Sequence, residues 1–140
     1  MFHVTADTNI YISALNFDGV PRRLLAAARL RFVELAISEA LLDEVRRVLR
    51  DKFAWLPAAI ASAVDRLLAF AQRVEPTLRL DVIARDPSDN RVLECAVAAG
   101  SRFIVTGDND LLSLGTYEGI RIMKVAAFLE CAQLPASQPR

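Results

Sequence analysis

The 140-residue chain carries 17 Lys and Arg against 17 Asp and Glu, so its formal charge at neutral pH is zero. Proteins held on nucleic acid mainly by counterion release usually carry net positive charge, so this balance argues against that class unless the charges are segregated along the chain. With 54% apolar residues, five Gly and six Pro, the composition suits one continuous core: a single domain over residues 1–134, followed by a flexible tail at 135–140. No apolar run reaches the roughly 18 to 20 residues of a membrane-spanning helix, and MFHVTADTN lacks the basic and apolar blocks of a secretion signal. A cytoplasmic chain without membrane contact is therefore expected.

Taken in order, FHVTA (2–6) reads as a short strand ending at Asp7, and TNIYISAL continues with Ile10, Ala14 and Leu15 at helical spacing. Pro21 opens a second helix, PRRLLAAARLR, since proline is tolerated in a first helical turn. The strand FVELAI follows, and Ser38 is placed to cap the helix SEALLDEVRRVLRD. Pro57 starts a long helix, PAAIASAVDRLLAFAQR, which is followed by an extended piece near 79–84 and the loop RDPS. The helix DNRVLECAVAAG ends at Gly100 and leads into the strand RFIVT, the loop GDND, a short helical turn DLLSL, the strand IRIM and the helix VAAFLECAQ. Strands alternating with helices predict an α/β layer structure with a mainly parallel sheet, whose ligand site lies at the carboxyl ends of the strands. That rule directs attention to Asp7 and to Thr106 through Asp110.

Asp7 and Asp108 each follow a strand, and carboxylates on adjacent strand ends repel unless a cation or proton lies between them. On the helix 38–51, with Leu41 at zero and about 100° per residue, the apolar stripe of Val48, Val45, Leu49 and Leu42 spans roughly −20° to +100°. Glu44 falls near −60°, on the edge of that stripe, whereas Asp43 falls near 200° on the far side. Glu44 is the acid aimed inward, with an Arg as its ordinary partner if it has no other role. The same arithmetic aligns Asp89 with Val92, Leu93 and Ala96 and turns Glu94 away, near 140°. Taken singly, Asp7 and Asp89 also read as helix caps, and Asp86, before Pro87, reads as a turn former bonding loop amides. Asn9 and Asn90 either orient a carboxylate or a water, or stabilise a turn.

Asp7, Glu44, Asp89 and Asp108, with Asp110 as a fifth acid, converge in this reading on one crevice. Oxygen-only donors without His or Cys select hard cations, so Mg²⁺ or Mn²⁺ is expected, and phosphodiester hydrolysis is the natural reaction. His3 is the sole histidine, which removes multi-His zinc sites and argues against Ser/His/Asp hydrolysis. Cys95 and Cys131 sit in apolar helical patterns without CxxC spacing and read as reduced core thiols. Trp55, between two helices, either packs over their junction or is exposed for a partner, in company with Leu24, Leu25, Phe32, Phe53 and Leu56.

The segments VTADTNIYISAL, SEALLDEVRRVLRDKF and RDPSDNRVLECAVAAGSRFIVTGDNDLL resemble the PIN-domain ribonucleases, in particular the VapC-like toxin components of prokaryotic toxin–antitoxin pairs. The resemblance covers about residues 3–128. It implies a three-layer α/β/α fold with a mainly parallel sheet of about five strands. It further implies an endoribonuclease dependent on Mg²⁺ or Mn²⁺, an RNA substrate, a cognate antitoxin and a homodimer. Carried over by position, the catalytic and metal-holding acids fall on Asp7, Glu44, Asp89 and Asp108, with Asn9, Asn90, Thr106 and Asp110 as supporting residues. Many such toxins read T-x-N-x-x-D-F at the last loop, where this chain has Thr106-Gly107-Asp108-Asn109-Asp110-Leu111. The last metal-facing acid is accordingly Asp108 or Asp110; Asp108 is preferred because it comes first after the strand, leaving Asp110 to cap DLLSL.

Two other readings fit less well. A phosphatase of haloacid-dehalogenase type requires D-x-D after the first strand, but Asp7 is followed by Thr8 and Asn9, and a receiver domain lacks its adjacent acidic pair here. A non-catalytic protein-binding module leaves four converging acids without a purpose. Position also changes the meaning of the zero charge. Residues 81–110 hold six acids against three arginines, and residues 22–52 hold eight bases against five acids. Acids neutralised by bound cations leave the arginine-rich segment available for phosphate.

Overall fold

The computed structural model describes residues 1–133. The expected tail at 135–140, and residue 134 before it, lie outside the described residues. Six strands form one sheet in the order β3-β2-β1-β4-β6-β5. They are β1 Phe2–Ala6, β2 Val33–Ser38, β3 Ala71–Val74, β4 Phe103–Val105, β5 Thr116–Tyr117 and β6 Ile120–Met123. Every pairing is parallel except β5 with β6. Flanking helices are α1 Thr8–Asn16, α2 Val20–Arg29, α3 Glu39–Asp51, α4 Pro57–Leu68, α5 Pro87–Ala99, α6 Asn109–Leu114 and α7 Val125–Cys131.

The central strands are buried on both faces, as parallel strands covered by helices must be: Val4, Thr5 and Ala6 of β1, Leu35, Ala36 and Ile37 of β2, and Ile104 and Val105 of β4 are all buried, the Thr5 hydroxyl being paired with that of Ser101 at 2.8 Å. They join one core with Leu42, Val45 and Leu49 of α3, Leu93 of α5 and Phe128 of α7. Ser38 accepts from the Leu41 amide at 3.3 Å and caps α3. Gly100 ends α5 in the left-handed region at φ 67°, where glycine has no Cβ to clash.

Four departures from expectation have local causes. The fourth helix stops at Leu68 rather than running to Arg73, and 71–74 form β3 on the edge of β2, where burial of Ala71 and Val74 fits a strand as well as a helix. Residues 79–84 form no strand; they are an irregular strap tied to α5 by side chains. The sheet has six strands rather than about five because the two-residue β5 turns back antiparallel on β6. Cys131 is exposed, on the outer side of α7, while Cys95 is buried; both are free thiols. Trp55 packs on the core with its indole N–H donating to Asn16 Oδ1 at 3.1 Å, so it seals the α3–α4 junction; Leu24 and Leu25 are buried too, while Phe32 and Leu56 are exposed. No helix among the described residues is long and apolar enough to cross a membrane.

Candidate functional site

The chain leaves β1 toward β2 on one side, and β4 lies on the other, so the crevice beyond the carboxyl ends of β1 and β4 is where strand order reverses. Asp7 and Thr106 continue these two strands as neighbours. The register pairs Ala6 with Val105, and the Asp7 amide donates to the Val105 carbonyl at 3.0 Å. Asp7 occupies the N-cap position of α1, but its carboxylate makes no cap hydrogen bond. It accepts instead from the Thr106 hydroxyl at 2.7 Å and from the Thr8 hydroxyl at 3.3 Å, and it is 5% exposed. Burial holds its carboxyl above the usual range, against the opposing pull of those two hydroxyls; the Asp108 charge adds to the rise.

Thr106 is fully buried and its hydroxyl works twice, donating to Asp7 and accepting from the Asp108 amide at 2.9 Å. Asp108 then caps α6: its Oδ1 accepts from the amides of Asp110 at 2.8 Å and Leu111 at 3.2 Å. The cap expected of Asp110 therefore belongs to Asp108, because the helix begins one residue earlier, at Asn109. Asp110 sits half-buried in the first turn.

Asp89 projects from the first turn of α5 and is 4% exposed, and its Oδ2 has no hydrogen-bond partner. It is not the cap of that helix. Asp86 is, accepting from the Ser88 amide at 3.2 Å and the Ser88 hydroxyl at 2.7 Å. Asp86, Asp89 and Asp108 each present an oxygen within 4.8 Å of the others. At that spacing, ionised carboxylates repel by roughly 1 to 3 kcal/mol per pair for dielectric constants between 80 and 20. Burial, and then the Asp108 carboxylate beside it, push Asp89 up to about 8.

Glu44 approaches from α3. It shares with Asp7, Thr8 and Ser88 a cleft of about 30 Å³, room for something the size of a water. Its carboxylate is 32% exposed and pairs with Arg47 at 2.9 Å, while Asp43 lies outside and pairs with Arg46. Asn90 does not touch the acids: its amide closes on the strap, accepting from the amides of Val82 and Ile83 and donating to the Ile83 carbonyl at 2.8–2.9 Å. Asn9 is exposed and makes no side-chain hydrogen bond among the described residues.

Three participants escape the periodicity argument. Asp86 joins the cluster because it stands three residues before Asp89, a spacing that puts both on one side of a helix start. Glu94 was expected to face away, yet it is 5% exposed, since α5 is covered by the sheet on one side and by the strap on the other. It accepts from the Leu80 amide at 2.7 Å and from Arg91 at 2.8 Å. Arg91, which also donates to the Leu80 carbonyl, lines both the acid cleft and an adjoining groove of about 550 Å³.

The PIN domain family model matches residues 3–110, a span that carries Asp7, Glu44, Asp89, Asp108 and Asp110. The chain belongs to the PIN domain family. No curated protein sequence matches it. Among solved structures it is similar to VapBC2 from Rickettsia felis bound to a DNA fragment from its promoter, with TM-score 0.60 and 16% identity over 86% of this chain and 97% of that one. It is also similar to VapC20 from Mycobacterium tuberculosis, a sarcin-ricin loop cleaving toxin, with TM-score 0.58 and 19% identity over 84% and 98%. PAE2754 from Pyrobaculum aerophilum gives 0.61 and 17% over 95% and 90%. These likenesses share the PIN fold of a mainly parallel sheet flanked by helices.

Proposed function

We propose that this PIN domain chain is a metal-dependent endoribonuclease and the toxin of a toxin–antitoxin pair, with Asp7, Glu44, Asp89 and Asp108 holding Mg²⁺ or Mn²⁺. The observation that carries this is the Asp89 carboxyl: buried, with an orphaned oxygen, among other acids that repel it. A structural acid in that position would be matched by an arginine or by amides, as Glu94 is. The donor set contains only oxygens, which suits a hard cation. Bound there, a divalent cation supplies a polarised phosphoryl oxygen and a water of lowered pKa.

The chain's own residues hold the site in shape. Thr106 fixes the orientation of Asp7 and ties it to the loop that positions Asp108. The cap on α6 engages Asp108 Oδ1 and leaves Oδ2 outside the cap. Asp86 stands within the cluster and Asp110 follows Asp108 in the first turn of α6, Glu44 shares the adjoining cleft with Asp7, and Asn90 secures the strap beside it. Arg91 stands in the wall between the cleft and the groove, paired with Glu94. RNA as substrate and a cognate antitoxin as partner are supported by the likeness to toxins and toxin–antitoxin complexes; a cytoplasmic homodimer is proposed on the same family ground.

Purified protein is expected to cut single-stranded RNA with Mg²⁺ or Mn²⁺, to stop in EDTA, and to leave an aryl phosphate intact. Asp7→Asn keeps the shape and hydrogen-bonding size of the side chain but removes its charge, so cutting is lost while the fold persists. Undiminished cleavage by Asp7→Asn refutes the assignment, and metal-dependent hydrolysis of the aryl phosphate without RNA cleavage substitutes a phosphatase for it.

A further inference from the structure

At the opposite end of the sheet, α2 and α4 both end just before β2 and β3 begin. Their last residues and the following turns enclose an open pocket of about 360 Å³ lined by Arg29, Arg31, Arg66, Ala69 and Phe70. Its only charged groups are three guanidiniums, and none of them pairs with a carboxylate among the described residues. Arginines 46, 47, 50 and 91, on α3 and α5, are each matched by an acid.

Helix-end electrostatics accounts for part of this. Arg29 and Arg66 stand in the last turns of α2 and α4, where cations are favoured. Each helix end contributes about −0.5 charge, so three guanidiniums still leave an excess of about +2. Arg31 ends α2 with φ 70°, its amide donating to the Ala28 carbonyl and the Phe32 amide to the Ala27 carbonyl; this helix-ending turn is one that Gly or Asn makes at lower steric cost. Arg29 lies over the Phe70 ring, 5.5 Å from its centre, which holds its planar fork toward the pocket.

We propose that this pocket anchors the phosphodiester backbone of single-stranded nucleic acid, as a site separate from the acid cleft and independent of its chemistry. The charged lining offers donors and no acceptor, matching a backbone of phosphate oxygens that brings acceptors alone. A peptide segment brings amide donors, which find no acceptor side chain there. The five steps of β2 from Val33 to Ser38, at about 3.3 Å each, separate the pocket from the acid end by about 17 Å. A strand engaging both places must therefore be several nucleotides longer than the bond that is cut.

The test is equilibrium binding of a labelled 20-nucleotide uridine strand in EDTA, followed from 50 to 200 mM salt. The protein is compared with an Arg29→Gln, Arg31→Asn, Arg66→Gln variant. Each phosphate contact contributes about 0.7 to the slope of log affinity against log salt for single strands, so losing three lowers the slope by about 2. Over that fourfold salt range the parent loses roughly 20-fold more affinity than the variant. Arg→Lys at the same three positions keeps the slope, since the charge survives, which separates charge from any packing role. Equal slopes in parent and Gln/Asn variant overturn the proposal. So does tighter binding of a 20-residue polyglutamate that weakens in the same variant, which reassigns the pocket to an acidic protein. Because EDTA blocks cleavage throughout, the outcome does not depend on whether the chain cuts RNA.

Discussion

Asp89→Asn changes one atom type at the centre of the acid cluster, and its effect on stability differs with and without metal. Burial and Asp108 push the Asp89 carboxyl up to about 8 in the folded chain, whereas an exposed Asp titrates near 3.9. Between these values the folded chain keeps a proton that the unfolded chain releases, so stability falls as pH rises from about 4 toward about 8. Each pH unit in that window costs about 1.4 kcal/mol, so raising pH from 5 to 7 costs on the order of 3 kcal/mol, or roughly 10 °C in Tm for a chain of this size. Asn does not titrate. Differential scanning calorimetry in EDTA should therefore find the Tm gap between variant and parent widening by about that amount from pH 5 to pH 7, the variant being more stable. With Mn²⁺ at 100 times its Kd most of that gap closes, because binding stabilises the parent by about 2.7 kcal/mol and the variant has lost a ligand. Parallel pH curves in EDTA, or equal stabilisation of both proteins by Mn²⁺, refute the placement of Asp89 as a buried acid awaiting a cation.

Thr106→Val removes the hydroxyl that joins Asp7 to the Asp108 amide. It should cost about 1 to 3 kcal/mol by urea unfolding and weaken Mn²⁺ binding 10- to 100-fold by calorimetric titration, with Thr106→Ser recovering both. Asn90→Ala frees the Val82 and Ile83 amides and the Ile83 carbonyl; limited proteolysis should then cut within 75–86 before the rest of the chain. Glu44→Gln should slow RNA cleavage and weaken Mn²⁺ binding, while Asp43→Asn, on the outer face of the same helix, changes neither. Ser38→Ala should lower stability by about 1 kcal/mol through loss of the α3 cap, with the cleavage rate per folded molecule unchanged.

Local rules made the element order legible where a periodic pattern and a cap coincide. On α3 the stripe of Leu41, Leu42, Val45 and Leu49 has Ser38 at its head, and the inward phase of Glu44 against Asp43 followed from spacing alone. AFAQR offered no such punctuation: with neither Gly nor Pro at the break, the helical pattern runs past Leu68, and only pairing with β2 turns 71–74 into a strand. The strap was illegible for the same reason, since its conformation is set by Asn90, Arg91 and Glu94 across a gap in sequence. Glu94 shows the limit of a single helical face: α5 is covered from two directions, so a position turned away from the sheet is still buried. At the site, strand ends located Asp7 and Asp108, but the nearness of Asp86 and the double role of the Thr106 hydroxyl depend on side-chain directions that spacing does not encode.

Whether the acids gather around a cation is decided most directly by the anomalous difference map of a Mn²⁺-soaked crystal. A peak within about 2.0 to 2.4 Å of carboxylate oxygens from Asp89 and Asp108, with Asp7 or Glu44 completing the set directly or through water, is the predicted result. A map with no peak in the cleft at saturating Mn²⁺, or with the ion held only by exposed acids elsewhere, contradicts the metal-dependent nuclease.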